Sequence, residues 1–106
     1  MSNGTEANEV VFDENSVRVM PKYEVKIGAV AKRMLANKKL KLDIIAYISK
    51  DDLTRENVRR TTERLQAIFY ILVNRYQIDQ NRIKYDILQP EEGEDYDFNN
   101  VEMVYR

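Results

Sequence analysis

Two hydrophobic rhythms meet in the middle of the chain. Between Leu40 and Ile48 the even positions Leu40, Leu42, Ile44, Ala46 and Ile48 are all apolar. The odd positions change along the same stretch from polar (Lys41, Asp43) to apolar (Ile45, Tyr47). A period of two with concentrated β-branched residues predicts a strand, and apolar character spreading to both faces predicts a central one, covered by helices on one side. Further on, Val58, Thr61, Leu65, Ile68, Leu72 and Tyr76 recur at three- and four-residue spacing, with Phe69 and Val73 widening the stripe. That spacing predicts a helix of roughly 20 residues, about 30 Å long, ending near Arg75. Thr54 is placed to cap its start, with Asn57 where a Glu or Gln would complete a capping box. Asn57 and Arg64 lie two helical turns apart on one side of this helix, so a site, if the chain has one, belongs at the strand–helix junction.

The remaining segments are arranged around this pair. Glu9 to Phe12 reads as a short strand, closed by the turn formers Asp13-Glu-Asn-Ser16. Pro21 suits a first helical turn, and from Tyr23 the apolar residues Ile27, Val30, Ala31, Met34 and Leu35 mark one helical face. Gly28 weakens that helix by about 1 kcal/mol relative to alanine. Asn37-Lys-Lys39 provides its polar, basic end. Ile83, Tyr85 and Ile87 alternate through a third strand, Pro90 to Asn100 is an acidic loop, and Val101 to Tyr105 is a last strand. Tyr47, Tyr70, Tyr76 and Tyr85 occupy periodic apolar positions and read as core or rim. The order is β-α-β-α-β-β, an α+β chain. Its two strand–helix–strand units imply parallel pairing with right-handed crossovers, and the hairpin-like last connection implies one antiparallel strand. Residues 1–8 read as a disordered leader and 9–106 as one domain.

Composition narrows the chemistry. With 106 residues, 43% of them hydrophobic, the chain can bury a core without staples. It has no cysteine and no histidine, which removes disulfides, thiolate chemistry and the commonest general base and metal ligand. There is no glycine-rich loop and no nucleophile beside a base, so the chain is not read as an enzyme. Seventeen basic residues against eighteen acidic ones leave a net charge of -1, which gives no footprint for nucleic acid. No apolar run approaches the roughly 20 residues of a membrane span. The opening residues lack a signal peptide, leaving a cytoplasmic protein or a domain of a longer exported chain. Glu91, Glu92, Glu94, Asp95 and Asp97 do not follow the spacing of a calcium-binding loop, and neither metal nor cofactor is expected.

In their order and spacing, these segments resemble the OmpA-like C-terminal domain, a family found in outer-membrane proteins, peptidoglycan-associated lipoproteins and flagellar stator proteins. Phe12-Asp-Glu-Asn-Ser16 is similar to the family's F-D-x-N-S, and Leu42 to Ser49 to its apolar strand ending in Gly-His-Thr-Asp. Asn57 and Arg64 fall on the Asn and Arg of N-x-x-L-S-x-x-R-A, and Gln77 to Ile83 on G-I-x-x-x-R-I. Val101-Glu102 resembles the V-E of the closing strand. The resemblance implies a mixed four-stranded sheet with two main helices on one face. It implies a binding module of the Gram-negative cell envelope, periplasmic and associated with the outer membrane through a larger parent protein.

In that family an Asp and an Arg grip the diaminopimelate of the peptidoglycan peptide stem. One anion answers the ligand ammonium, and a planar fork answers its carboxylate. Carried over, the Arg is Arg64 with Asn57 beside it, and the acid's position is Ser49. A serine cannot balance an ammonium, so Asp51 or Asp52 would stand in, with Asp13 or Asn15 at the rim. The family's Leu-Ser is Arg60-Thr61 here, a second cation on the helix, and its late Arg-Arg is Asn99-Asn100. Two functions follow: non-covalent attachment to peptidoglycan, or a scaffold for other envelope proteins that keeps the fold without the ligand.

Overall fold

The computed structural model describes residues 8–106. The leader expected over residues 1–8 therefore lies outside the described residues except at Asn8, whose carbonyl accepts the Met103 N–H at 2.8 Å. The strands are β1 (Glu9–Val11), β2 (Leu42–Tyr47), β3 (Ile83–Leu88) and β4 (Asn100–Tyr105); the main helices are α1 (Pro21–Ala36) and α2 (Arg55–Tyr70).

Each helix starts and stops for a local reason. Pro21 opens α1 with its φ preset and no N–H to leave unbonded. Asn37 closes it in an extended conformation. Thr54 caps α2, its hydroxyl accepting the Asn57 N–H. Beyond Tyr70 the same helix widens into a π turn over Ile71–Arg75, so the helical path ends where the apolar stripe predicts. Gln77 leaves it at φ 62°, a left-handed position that glycine would occupy without strain. Arg82, in a short 3₁₀ turn before β3, donates to the carbonyls of Met34, Asn37 and Leu40, satisfying the C-terminal end of α1.

The sheet order is β1-β4-β2-β3. β2 and β3 are parallel neighbours, Leu42 opposite Ile83 through Tyr47 opposite Leu88, as one crossover helix requires. The last connection is not a hairpin. β4 passes beyond β2 to lie antiparallel to both β2 and β1, so β1 and β2 point the same way without touching. A central slot flanked by two partners completes more ladder hydrogen bonds than an edge beside β3 would.

Alternate residues of β2 and β4 carry the core. Leu42, Ile44, Ala46, Val101 and Met103 are buried on the face that packs against Ile27, Val30, Ala31 and Met34 of α1 and Leu65 and Ile68 of α2. Both helices lie on that face, and the other stays half-open. Leu35, counted on the apolar face of α1, is 49% exposed, and Tyr70 is 59% exposed. Each lies just past the edge of its helix's buried stripe. Among the described residues no helix is long and apolar enough to cross a membrane.

Candidate functional site

The junction between β2 and α2 is built by the turn that joins them. After Tyr47 the chain makes one 3₁₀ turn over Lys50–Asp52 and enters α2 through Thr54. Asn57 fastens the turn to the helix: its Nδ2 donates to the Asp52 carbonyl at 2.7 Å. One turn further on, Arg60 donates to Asn57 Oδ1 at 3.2 Å and to Glu56 at 3.4 Å, with only 16% of its side chain exposed. Arg59 hydrogen-bonds the same Glu56 carboxylate, which lowers the Glu56 pKa. Asp52, Asn57 and Arg60 border a cleft of about 310 Å³ lined also by Glu14, Asn15, Phe98 and Asn99. Asn15 sits at φ 66°, a left-handed conformation that asparagine tolerates, and this folds the Asp13–Ser16 turn along the cleft.

Ser49 meets Asp52 here. Its hydroxyl donates to Asp52 Oδ2 at 3.2 Å, and the Tyr96 hydroxyl donates to the same oxygen. Tyr96 also accepts the Ser49 N–H at 3.2 Å. The residue standing where the resemblance calls for an acid thus orients an acid three positions on. Asp51 turns the other way, into a neighbouring cleft of about 390 Å³ formed with the loop over residues 89–94.

Arg64 does something else. It is 1% exposed and is the largest fully buried side chain among the described residues. Nε donates to the Ser16 carbonyl at 2.7 Å, Nη2 to that of Asp13 at 3.1 Å and Nη1 to that of Phe98 at 3.3 Å. The rings of Phe12 and Phe98 flank its guanidinium at 5.0 and 5.6 Å. Burial lowers its pKa, the charge of Arg60 lowers it further, and Asp97 opposes both. The rigid fork suits three main-chain carbonyls from two loops, and Arg64 fixes both walls of the cleft from beneath.

Of the expected site residues, Asn57, Asp52 and Asn15 line one cleft. Ser49 supports Asp52 from outside it, and Asp51 faces elsewhere. Asp13 contributes its carbonyl to Arg64. Arg64 itself is not at the surface of the cleft; its spacing from Asn57 sets the side of the helix, but one more turn carries it under the loops. The cation at the mouth is Arg60, which the sequence flags as a charge where the resemblance calls for leucine. Glu14, Tyr96 and Phe98 carry no such mark, because only the folded loops bring them in.

A mixed β1-β4-β2-β3 sheet with both helices on one face is the OmpA-like fold. The peptidoglycan-associated lipoprotein from Burkholderia pseudomallei superposes on it with a TM-score of 0.76, covering 93% of this chain and 90% of that one at 17% identity. The OmpA-like domain of FopA1 from Francisella tularensis gives 0.71 over 92% of this chain and 70% of its own, at 16% identity. The C-terminal domain of Helicobacter pylori MotB gives 0.69 over 93% and 84%, at 13% identity. No protein-family model and no curated protein matches the sequence. The likeness is therefore one of fold.

Proposed function

We infer that the chain is a divergent OmpA-like domain, a non-enzymatic binding module of the cell envelope that holds a peptidoglycan peptide stem without a covalent bond. It would act in the periplasm as part of a larger outer-membrane-associated protein. The observation that carries this reading is the convergence of a cation, Arg60, and an oriented acid, Asp52, on one cleft at the start of α2. A zwitterionic amino-acid centre needs that pair: Arg60 and the α2 N-terminus for its carboxylate, Asp52 with Glu14 for its ammonium. Asn57 and Asn15 border the same space. Asn99 adds a buried side-chain oxygen without a hydrogen-bond partner among the described residues, which a ligand N–H would satisfy. Arg64 positions the walls and touches no ligand. The likeness to a protein named as peptidoglycan-associated supports the same reading.

The second reading, a scaffold that has lost the ligand, is favoured by Arg64, whose fork is committed to main-chain carbonyls. Amide shifts on titration with diaminopimelate and with a stem peptide separate the two. Under the first reading, resonances of Asn15, residues 52–60 and residues 98–99 shift at millimolar ligand, and Arg60→Ala removes the response while the fold stays intact. Arg64→Ala leaves three carbonyls unpaired and lowers stability by on the order of 3 kcal/mol. A silent titration of the wild-type chain leaves the scaffold reading standing.

A further inference from the structure

The outer edge of β3 is open among the described residues. We propose that two copies of this chain associate through their β3 edges, antiparallel about a two-fold axis at Tyr85, joining two four-stranded sheets into one of eight.

β3 ends the sheet order, so among the described residues one side of it has no strand neighbour. The Leu88 carbonyl accepts the Ile48 N–H, which turns the backbone groups of Leu88 toward β2. Alternation then turns those of Asp86 and Lys84 inward, and those of Ile83, Tyr85 and Ile87 outward. The Ile87 N–H follows this pattern: it donates to the side chain of Asp86 at 2.8 Å instead of to a strand. An antiparallel copy centred on Tyr85 makes Tyr85 opposite Tyr85, and Ile83 opposite Ile87, the hydrogen-bonded pairs. These are the residues whose N–H and C=O groups face out.

The side chains select the same register. Ile83-Lys-Tyr-Asp-Ile87 reads as its own charge complement when reversed. Centring on Tyr85 sets Lys84 against the copy's Asp86, and Asp86 against the copy's Lys84, on the helix-free face. These fall in the non-hydrogen-bonded positions, where opposed side chains come closest. Centring on Ile83 instead would oppose Lys84 to Arg82, and centring on Ile87 would oppose Lys84 to Pro90. Among the described residues neither Lys84 nor Asp86 has an oppositely charged partner within 4.0 Å; Asp43, beside Lys84 on β2, is already held by Arg106 at 2.6 Å. In the paired state Asp86 turns from the Ile87 N–H to the copy's Lys84, and the Ile83 carbonyl of the copy takes that N–H. Exposed aromatic surface borders the edge: Tyr85 packs on Phe69 at 5.6 Å, and Phe69 on the exposed Tyr70 at 6.3 Å. A single strand edge is a small interface, so the association is concentration-dependent.

Sedimentation equilibrium across a concentration series, extended to millimolar, tests this. The expected result is a weight-average mass rising from the 12.6 kDa chain toward twice that value. Lys84→Asp alone and Asp86→Lys alone should each weaken association at least about tenfold, because like charges then face each other twice. The double exchange Lys84→Asp with Asp86→Lys should restore it. Both positions are exposed, and unchanged far-UV circular dichroism verifies the fold of all three variants. In parallel, hydrogen exchange at Tyr85 and Ile87 should slow with concentration, and at Leu65 should not. A mass that stays at the monomer value overturns the proposal. So does a dimer that survives the single reversals, or one that the double exchange fails to recover.

Discussion

At Gly28 the packing reverses what helix propensity favours. The residue lies buried in α1, where an added methyl would sit 2.6 Å from the Tyr76 hydroxyl oxygen and 3.3 Å from the ring carbon that bears it. Helix propensity alone favours Gly28→Ala by about 1 kcal/mol. The contact opposes it, because Tyr76 is packed against the core beyond the π turn and has little room to withdraw. We expect Gly28→Ala to destabilise the chain by about 1–2 kcal/mol. Tyr76→Phe removes the nearest atom, and in that background the same change should be neutral or stabilising. Urea unfolding of the four combinations measures the coupling; simple additivity would mean that Tyr76 yields freely. Arg64 has the same character. By its letter and spacing it is a surface cation, and only the carbonyls of Asp13, Ser16 and Phe98, from segments distant in sequence, make it a core residue.

Strands and helices are legible in the sequence where their signals are local. The N-cap of α2, the alternation of β2 and the apolar stripe through Leu72 all depend on residues within a few positions of one another. The acid of the cleft is half-legible: Asp52 is a candidate beside Asp51, but Tyr96 and Ser49, which orient it, meet across 47 positions. β4 holds a conflict that no local reading exposes. Its register sets Glu102 directly opposite Glu9 of β1, with Glu94 near enough to add a third negative charge. Burial first, then Glu9 and Glu94, raise the Glu102 pKa above its usual value of 4.5. The folded chain therefore keeps this proton to higher pH than the unfolded chain does. Stability contributed by the neutral form is complete below pH 4.5 and is lost as pH rises through the raised value. Glu102→Gln should accordingly raise Tm at pH 7 and leave it nearly unchanged at pH 3.5. Thermal melts at both values test this, and an equal gain at both would place the effect in packing rather than charge.

The molecule as a whole depends on a strand that arrives last. Local rhythm gives four strands and two helices, but strand order is a statement about distant pairs, and the shortest connection would place β4 as a hairpin on β3. The chain instead carries β4 past β2 and seats it between β2 and β1. Both of its edges are then bonded, and its inward residues Val101 and Met103 stand in the core against Val10, Ala46 and Ile44. Without β4, β1 has no partner strand among the described residues, and the buried faces of β2 and α1 lose the surface between them. Three residues of β1 and two strands of β2–β3 do not make a sheet that covers two helices. Ending the chain after Asn99 should therefore abolish the cooperative thermal transition instead of lowering its midpoint, and should leave a state that binds hydrophobic dye. Met103→Ala, which keeps the backbone ladder, should retain a sharp transition at a stability lower by about 2–5 kcal/mol. A truncated chain that still melted sharply would mean that α1, α2, β2 and β3 form a core of their own, and that β4 is an addition to it rather than its keystone.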